Sequence, residues 1–274
     1  MSALALRIIA TVCMLLDHVG YCFAGRYPFL MPLRWIGRVA LPLYAFLIVN
    51  GFRHTSNPWR YALRLLIFAV ISQLPFALMS HPAQTLYTIR QVLAEPALLV
   101  SHPMQIVGKL NVFVTLLLAL LTVWATDAMR KNRFAKYLCF LPTLAVFALY
   151  YFGLIQSDYG AKGILLAMTF YLFDGKLLLT ALGMIVSYFY QYPIFFAIYI
   201  LRSAQGKPYS IDPPTEWQMT QLFCLLSLVF IFLYNGKKGR TPTSKTGAKA
   251  AQLGFYLFYP VHMLILFALK RLLT

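Results

Sequence analysis

Apolar stretches long enough, or nearly long enough, to cross a bilayer recur from one end of this chain to the other, near residues 3–24, 34–53, 59–79, 108–126, 135–152, 158–173, 177–200, 217–234 and 250–271. A helix needs about 20 apolar residues to cover the hydrocarbon. Because lipid offers no partner for backbone N–H and C=O groups, each such stretch must satisfy its own. The predicted fold is therefore all-α: a polytopic transmembrane helical bundle of about nine spans. The sixth stretch is short and only Asp174-Gly175-Lys176 separates it from the seventh, so eight to ten spans fit the pattern. No polar block between them is long enough to fold alone, and residues 1–274 read as a single integral membrane domain. The longest non-spanning stretch, 80–107, carries His81-Pro82 and His102-Pro103 around an apolar run and is predicted to be re-entrant or interfacial.

Composition agrees. Hydrophobic residues make up 61% of the chain and charged residues 11%, against roughly a quarter charged in soluble domains, so apolar surface must face lipid. The first stretch lacks a basic leader and carries Asp17-His18 in its core, which predicts a retained span rather than a signal peptide. A net charge of +17 would suggest nucleic acid in a soluble protein; here it predicts loops held against anionic headgroups, with membrane lipids as partners and no nucleic acid. With the N-terminus in the cytoplasm, fourteen of the 24 Lys and Arg fall inside, and the 130–136 and 237–249 clusters share that side. Cys13, Cys22, Cys139 and Cys224 show no metal-ligand spacing and read as buried small hydrophobes, so no metal is expected.

Ionisable groups inside a span cost a few kcal/mol each and call for a reason. The first span holds Arg7, Asp17 and His18. Arg7 and His18 are eleven residues apart, about three turns plus roughly 20°, which puts them on one helix face some 16 Å apart along the axis. Arg7 at the inner mouth could hold a phosphorylated group, and the imidazole deeper in could take a proton from a nucleophile. Asp17 points about 100° away and would act through another helix. Alternatively, Arg7 snorkels to headgroups and His18 bonds a neighbouring helix.

The runs Leu6-Arg7-Ile8-Ile9-Ala10 and Met14-Leu15-Leu16-Asp17-His18-Val19-Gly20, then Gly37-Arg38-Val39-Ala40-Leu41-Pro42-Leu43, Asn50-Gly51-Phe52, Asp158-Tyr159-Gly160, Tyr234-Asn235-Gly236 and Tyr259-Pro260-Val261-His262, together resemble the TraX family. That family is related to the wider superfamily of integral membrane acyltransferases. The resemblance implies a bacterial inner-membrane acetyltransferase that takes acetyl-CoA as co-substrate and acetylates a protein or glycan acceptor, the type reaction being modification of a pilin N-terminus. Under it, His18, Asp17 and His262 are the catalytic candidates. Arg7, Arg60, Arg64 and Lys237 are candidates for acetyl-CoA. Arg38 and Asp158 are candidates for the acceptor.

Each has another reading. His262 could share the depth of His18 or simply bond a neighbouring helix, with Pro260 opening the last span. Arg60 and Arg64, four apart, could share an anion or rest on lipid phosphate. Lys237, Lys238 and Arg240 serve as a positive-inside anchor as readily as a nucleotide contact. Arg38 could balance Asp17 or Asp158, and Asp158 is spaced for an ion pair with Lys162. Asn111 and Thr115 read as interhelical hydrogen-bonders, and Tyr188 to Tyr192 as interface anchors. The expected whole is a helical bundle around one polar passage, with direct transfer from acetyl-CoA to an amine. O-acetylation of a surface polysaccharide or lipid-linked sugar, and proton-coupled transport through Asp17, His18 and His262, are the alternatives.

Overall fold

The computed structural model describes residues 1–97, 108–205, 215–239 and 244–273; His102-Pro103 and Arg240 lie outside the described residues. Among the described residues the regular structure is helical, with an isolated bridge between Leu110 and Ser157. Five segments are long and apolar enough to cross a membrane. They are α1 (Ala3–Phe23), the run Pro28–His54 containing α2 (Met31–Gly37) and α3 (Ala40–His54), α4 (Pro58–Ser80), α6 (Val112–Lys131) and α13 (Lys245–Leu273), with α5 (Pro82–Ala94) between α4 and α6.

Shorter apolar helices stand where the remaining stretches were predicted: α7 (Leu141–Tyr151), α8 (Ala161–Leu172), α9 (Leu177–Phe189) followed by α10 (Gln191–Ala204), and the segment of α11 (Glu216–Thr220) and α12 (Ser227–Phe232) joined by a 3₁₀ stretch. The predicted span 177–200 is thus two helices meeting at Tyr190. Helix α8 is short because Gly160, at φ 52°, turns the chain just before it. Pro260 was expected to open the last helix, yet α13 runs through it unbroken.

The bundle is apolar outside, and its apolar interior also holds charged and polar side chains. On α4, Leu63, Leu66, Ile67, Val70, Ile71 and Leu74 are exposed, while Leu65, Phe68, Ala69 and Ser72 are buried. Asp17, Arg38, Asn111, Thr115, Ser157 and His262 are buried as well. A soluble protein hides most large apolar side chains and wets its charges; a broad exposed apolar surface over five membrane-length helices, with charges buried inside, identifies an integral membrane protein.

One end of the bundle is closed by the segment 234–238. The first N–H groups of a helix have no partner within it. Here Ala3 donates to the Lys237 carbonyl at 2.8 Å, Leu4 to Lys238 at 3.0 Å, and Ala5 to the Ser2 hydroxyl at 3.2 Å. Asn50 donates to the Tyr234 hydroxyl at 3.1 Å, tying α3 to the same place. At the opposite end, Arg26, just beyond α1, donates to the carbonyl of Leu273. Met1 and Leu273 therefore lie at opposite ends of the bundle.

Candidate functional site

Helix α1 meets α2 unusually closely because two glycines allow it. A Cβ on Gly37 would overlap the Asp17 side chain, and one on Gly20 would press on Arg34. The approach brings Arg34 and Arg38, one turn apart, onto a single carboxylate. Arg34 Nη1 sits 2.7 Å from Asp17 Oδ2 and also donates to the Asp17 carbonyl at 3.0 Å. Arg38 Nη2 donates to Asp17 Oδ1, and its Nε donates to the Arg34 carbonyl at 3.0 Å. Asp17 thus acts through another helix, as its angular position on α1 predicts, and Arg38 balances Asp17.

His18, the next residue, points elsewhere. Its Nδ1 lies 2.7 Å from Nε2 of His262 on α13, with the rings 5.0 Å apart between centroids. The other nitrogen of His262, Nδ1, lies 2.6 Å from the Phe258 carbonyl oxygen. A carbonyl only accepts, so His262 Nδ1 carries the proton and donates. With both rings neutral, His262 Nε2 then has a lone pair and His18 Nδ1 donates to it. The relay leaves the lone pair of His18 on Nε2, the tautomer a general base requires.

Two cavities flank this pair. One, of about 450 Å³, is lined by His18, Asp17, Arg34, Arg38, Lys109, Asp158, Lys162, Tyr159, Tyr188 and Gln221, among others. The volume falls within the range of small-molecule sites. The other, of about 100 Å³, lies toward the end where α1 begins and is lined by Arg7, Thr11, Tyr44, Tyr61, Gln252, Tyr256 and Tyr259 among apolar side chains. The single polar passage expected between Arg7 and His18 is therefore divided. Tyr259, which lines the smaller cavity, stands with its ring 6.2 Å from that of His18, which lines the larger, so these two rings form part of the partition.

The structure brings His18, Asp17, Arg38 and Asp158 to the wall of the larger cavity, with His262 bonded to His18, and Arg7 to the smaller one, where its guanidinium lies 5.3 Å from the Phe255 ring centroid. Arg64 is half-buried with its guanidinium 5.4 Å from the ring centroid of Tyr61, a wall of the smaller cavity. Arg60 and Lys237 are exposed and line neither cavity, although the main chain of Lys237 holds the start of α1. Asp158 does not pair with Lys162: the residue precedes α8, so helical i,i+4 geometry does not apply, and its partner is Lys109 at 3.0 Å. Asn111 donates to the Ala69 carbonyl at 2.7 Å, and Thr115 shares a hydrogen bond with Ser157 at 2.7 Å. Lys109, Gln221, Tyr44 and Tyr61 were not singled out by sequence reasoning, and Tyr159 entered only as part of the Asp158-Tyr159-Gly160 run. Lys109 sits in a loop, Gln221 in a short 3₁₀ stretch and the tyrosines amid many other aromatics, where spacing carries no signal of convergence.

A bundle of apolar helices that keeps its charges around an internal cavity defines a polytopic membrane protein with a polar intramembrane site. Within that class, the chain belongs to the TraX family, whose model, described as TraX protein, matches residues 2–270. It is also similar to a probable fimbrial assembly protein FimC, serogroup H1, of Dichelobacter nodosus, at 29% identity over 278 residues that cover 99% of this chain and 97% of that protein. No solved structure matches the chain.

Proposed function

We propose that this protein is an acetyl-CoA-dependent membrane acetyltransferase that acetylates the N-terminal amine of a pilin-like subunit during fimbrial assembly. The observation that carries the reading is the hydrogen-bond relay from the Phe258 carbonyl through His262 to His18, a residue that lines the larger cavity, which leaves the lone pair of His18 on Nε2. Membership of the TraX family and similarity to a fimbrial assembly protein support the acceptor class.

In this reading the protein sits in the bacterial cytoplasmic membrane with its N-terminus inside, crossing nine times. Acetyl-CoA approaches from the end where α1 begins. The small cavity suits a slender pantetheine arm, so the nucleotide stays at its mouth, where Arg7 and Arg64 receive phosphate through charge-assisted bonds and Arg60 and Lys237 add to the local positive potential. The acceptor occupies the larger cavity, oriented by Arg38 and Asp158. His18 Nε2 removes a proton from the amine as its nitrogen bonds to the thioester carbonyl carbon. The C–S bond then breaks, and the leaving thiolate takes the proton back from His18. Asp17 holds Arg34 and Arg38 in place and so acts as a positioning residue.

The test is release of free thiol from acetyl-CoA by the purified protein with a synthetic peptide bearing the amino terminus of a pilin subunit. His18→Ala is expected to abolish thiol release while acetyl-CoA still binds; retained turnover would remove His18 from the mechanism. Arg7→Ala is expected to weaken acetyl-CoA binding at least several-fold, and an unchanged Kd would assign Arg7 to lipid headgroups instead. Solute movement without thiol release would mark the protein as a carrier.

A further inference from the structure

Buried polar groups in folded proteins nearly always have partners, and each exception asks for an explanation. Tyr259 is such an exception. Only 3% of its surface is exposed, yet while the Val112 N–H faces its hydroxyl oxygen, the hydroxyl's own proton has no acceptor among the described residues. Another phenol of the smaller cavity, Tyr44, is engaged by Thr11 at 3.0 Å. Tyr259 stands at the junction of all the parts described so far: it lines the cavity that Arg7 opens, its ring is 6.2 Å from His18 and 5.8 Å from His262, and Phe113 packs edge-on against it at 5.1 Å. Held on the same helix as His262 and pinned by an aromatic edge, the ring has little freedom to swing toward another partner.

Nucleophilic addition to a thioester moves the carbonyl π electrons onto oxygen, and catalysis needs a fixed donor at that oxygen. His18 Nε2 is engaged with the proton of the nucleophile and cannot also supply it. We propose that the Tyr259 hydroxyl donates the hydrogen bond that receives the negative charge gathering on the acetyl carbonyl oxygen. This rests on the transferase reading above. As the amine nitrogen bonds to the carbonyl carbon, its proton passes to His18 Nε2 and the oxygen takes up the electron pair, held by Tyr259 O–H, which keeps its own proton. When the oxygen returns that pair, the C–S bond breaks and the thiolate recovers the proton from His18. The wall where His18 lines one cavity and Tyr259 the other is then the place where thioester carbonyl and nucleophile come into contact, which requires these two rings to part far enough for the acetyl group to pass between them.

Tyr259→Phe removes one oxygen and nothing else, and the two explanations of the lone hydroxyl part company on it. A group kept for catalysis lowers turnover when deleted, by about 10²-fold for a donor of this type. Deleting a hydroxyl whose own proton has no acceptor forfeits no donated bond, and the N–H it leaves, that of Val112, belongs to the first turn of α6, where N–H groups lack helical partners. The expected result for Tyr259→Phe is thus a kcat for thiol release down about 10²-fold, a KM for acetyl-CoA within about twofold of the wild type, as loss of a bond made chiefly in the transition state implies, and a Tm close to that of the wild type. Isotope-edited infrared spectra of bound [1-¹³C]acetyl-CoA add a static readout: the carbonyl stretch is expected at lower frequency in the wild type than in the variant. Equal kcat in the two proteins, or a loss of kcat that tracks a lower Tm, overturns this inference alone. Absence of thiol release by the wild-type protein overturns both it and the transferase reading.

Discussion

At the residue scale, the site depends on which nitrogen holds which proton. The Phe258 carbonyl sets His262, and His262 sets His18, through contacts of 2.6 and 2.7 Å. His262 therefore does not need to touch substrate to matter. Replacing it with Phe keeps the ring's bulk against Phe258 but removes the acceptor for His18 Nδ1. His18 is then free to place its proton on either nitrogen. His262→Phe is expected to lower kcat for thiol release by about 10²-fold, the lower range of a general-base contribution, with acetyl-CoA binding unchanged. His262→Gln, whose side-chain oxygen can accept from His18, is expected to recover part of that loss. Equal activity of both variants and the wild type would show that His18 needs no partner. Much of this was legible beforehand: Arg7, Asp17 and His18 stand out because charges in an apolar span are rare, and His262 because its depth matches. The choice of Arg38 for Asp17 rather than Asp158, and of Lys109 for Asp158, was not. Those pairings are decided by where loops fold back, and helical periodicity is silent there.

At the scale of elements, glycine decides what α1 can touch. The contact between α1 and α2 is close because Gly37 presents no Cβ to Asp17. Gly37→Ala would force the two helices apart or push Asp17 out of reach of its guanidinium partners. Overpacking a tight contact costs about 1–3 kcal/mol, and the expected outcome is a lower Tm together with reduced turnover. A Tm equal to that of the wild type would show that the contact can relax. The glycine was visible in the sequence as part of the Gly37-Arg38 run, but its reason was not, since a close approach belongs to two helices at once. The short helices tell a similar story. Apolar content located all nine stretches, whereas the break at Tyr190 and the early start of the turn before α8 depend on local backbone geometry, including φ of 52° at Gly160.

At the scale of the whole molecule, Met1 and Leu273 lie at opposite ends of the bundle. An odd number of crossings follows if every pass is complete. A reporter that is active only outside the cytoplasm is expected to be active when fused after Leu273 and inactive when fused before Met1; activity at both ends or at neither would refute nine crossings. The larger cavity also carries more cations than acids. Lys109 takes Asp158, Arg34 and Arg38 share Asp17, and Lys162 lies in the same wall with no acid within ion-pair distance among the described residues. Lys162→Met is expected to raise KM for the acceptor peptide several-fold while leaving KM for acetyl-CoA unchanged, measured by thiol release; no change in either would place the lysine outside the acceptor's reach.

The clamp on the first helix also has a consequence for how the protein is made. Ala3 and Leu4 are held by the carbonyls of Lys237 and Lys238, and His18 meets a partner 244 positions later in the chain. Helix α1, made long before α13, waits for the later segments before its end is sealed and His18 gains its partner. A chain interrupted just before α13 would lack His262, so on the transferase reading it would hold the cavities without the relay and stay chemically silent in the membrane.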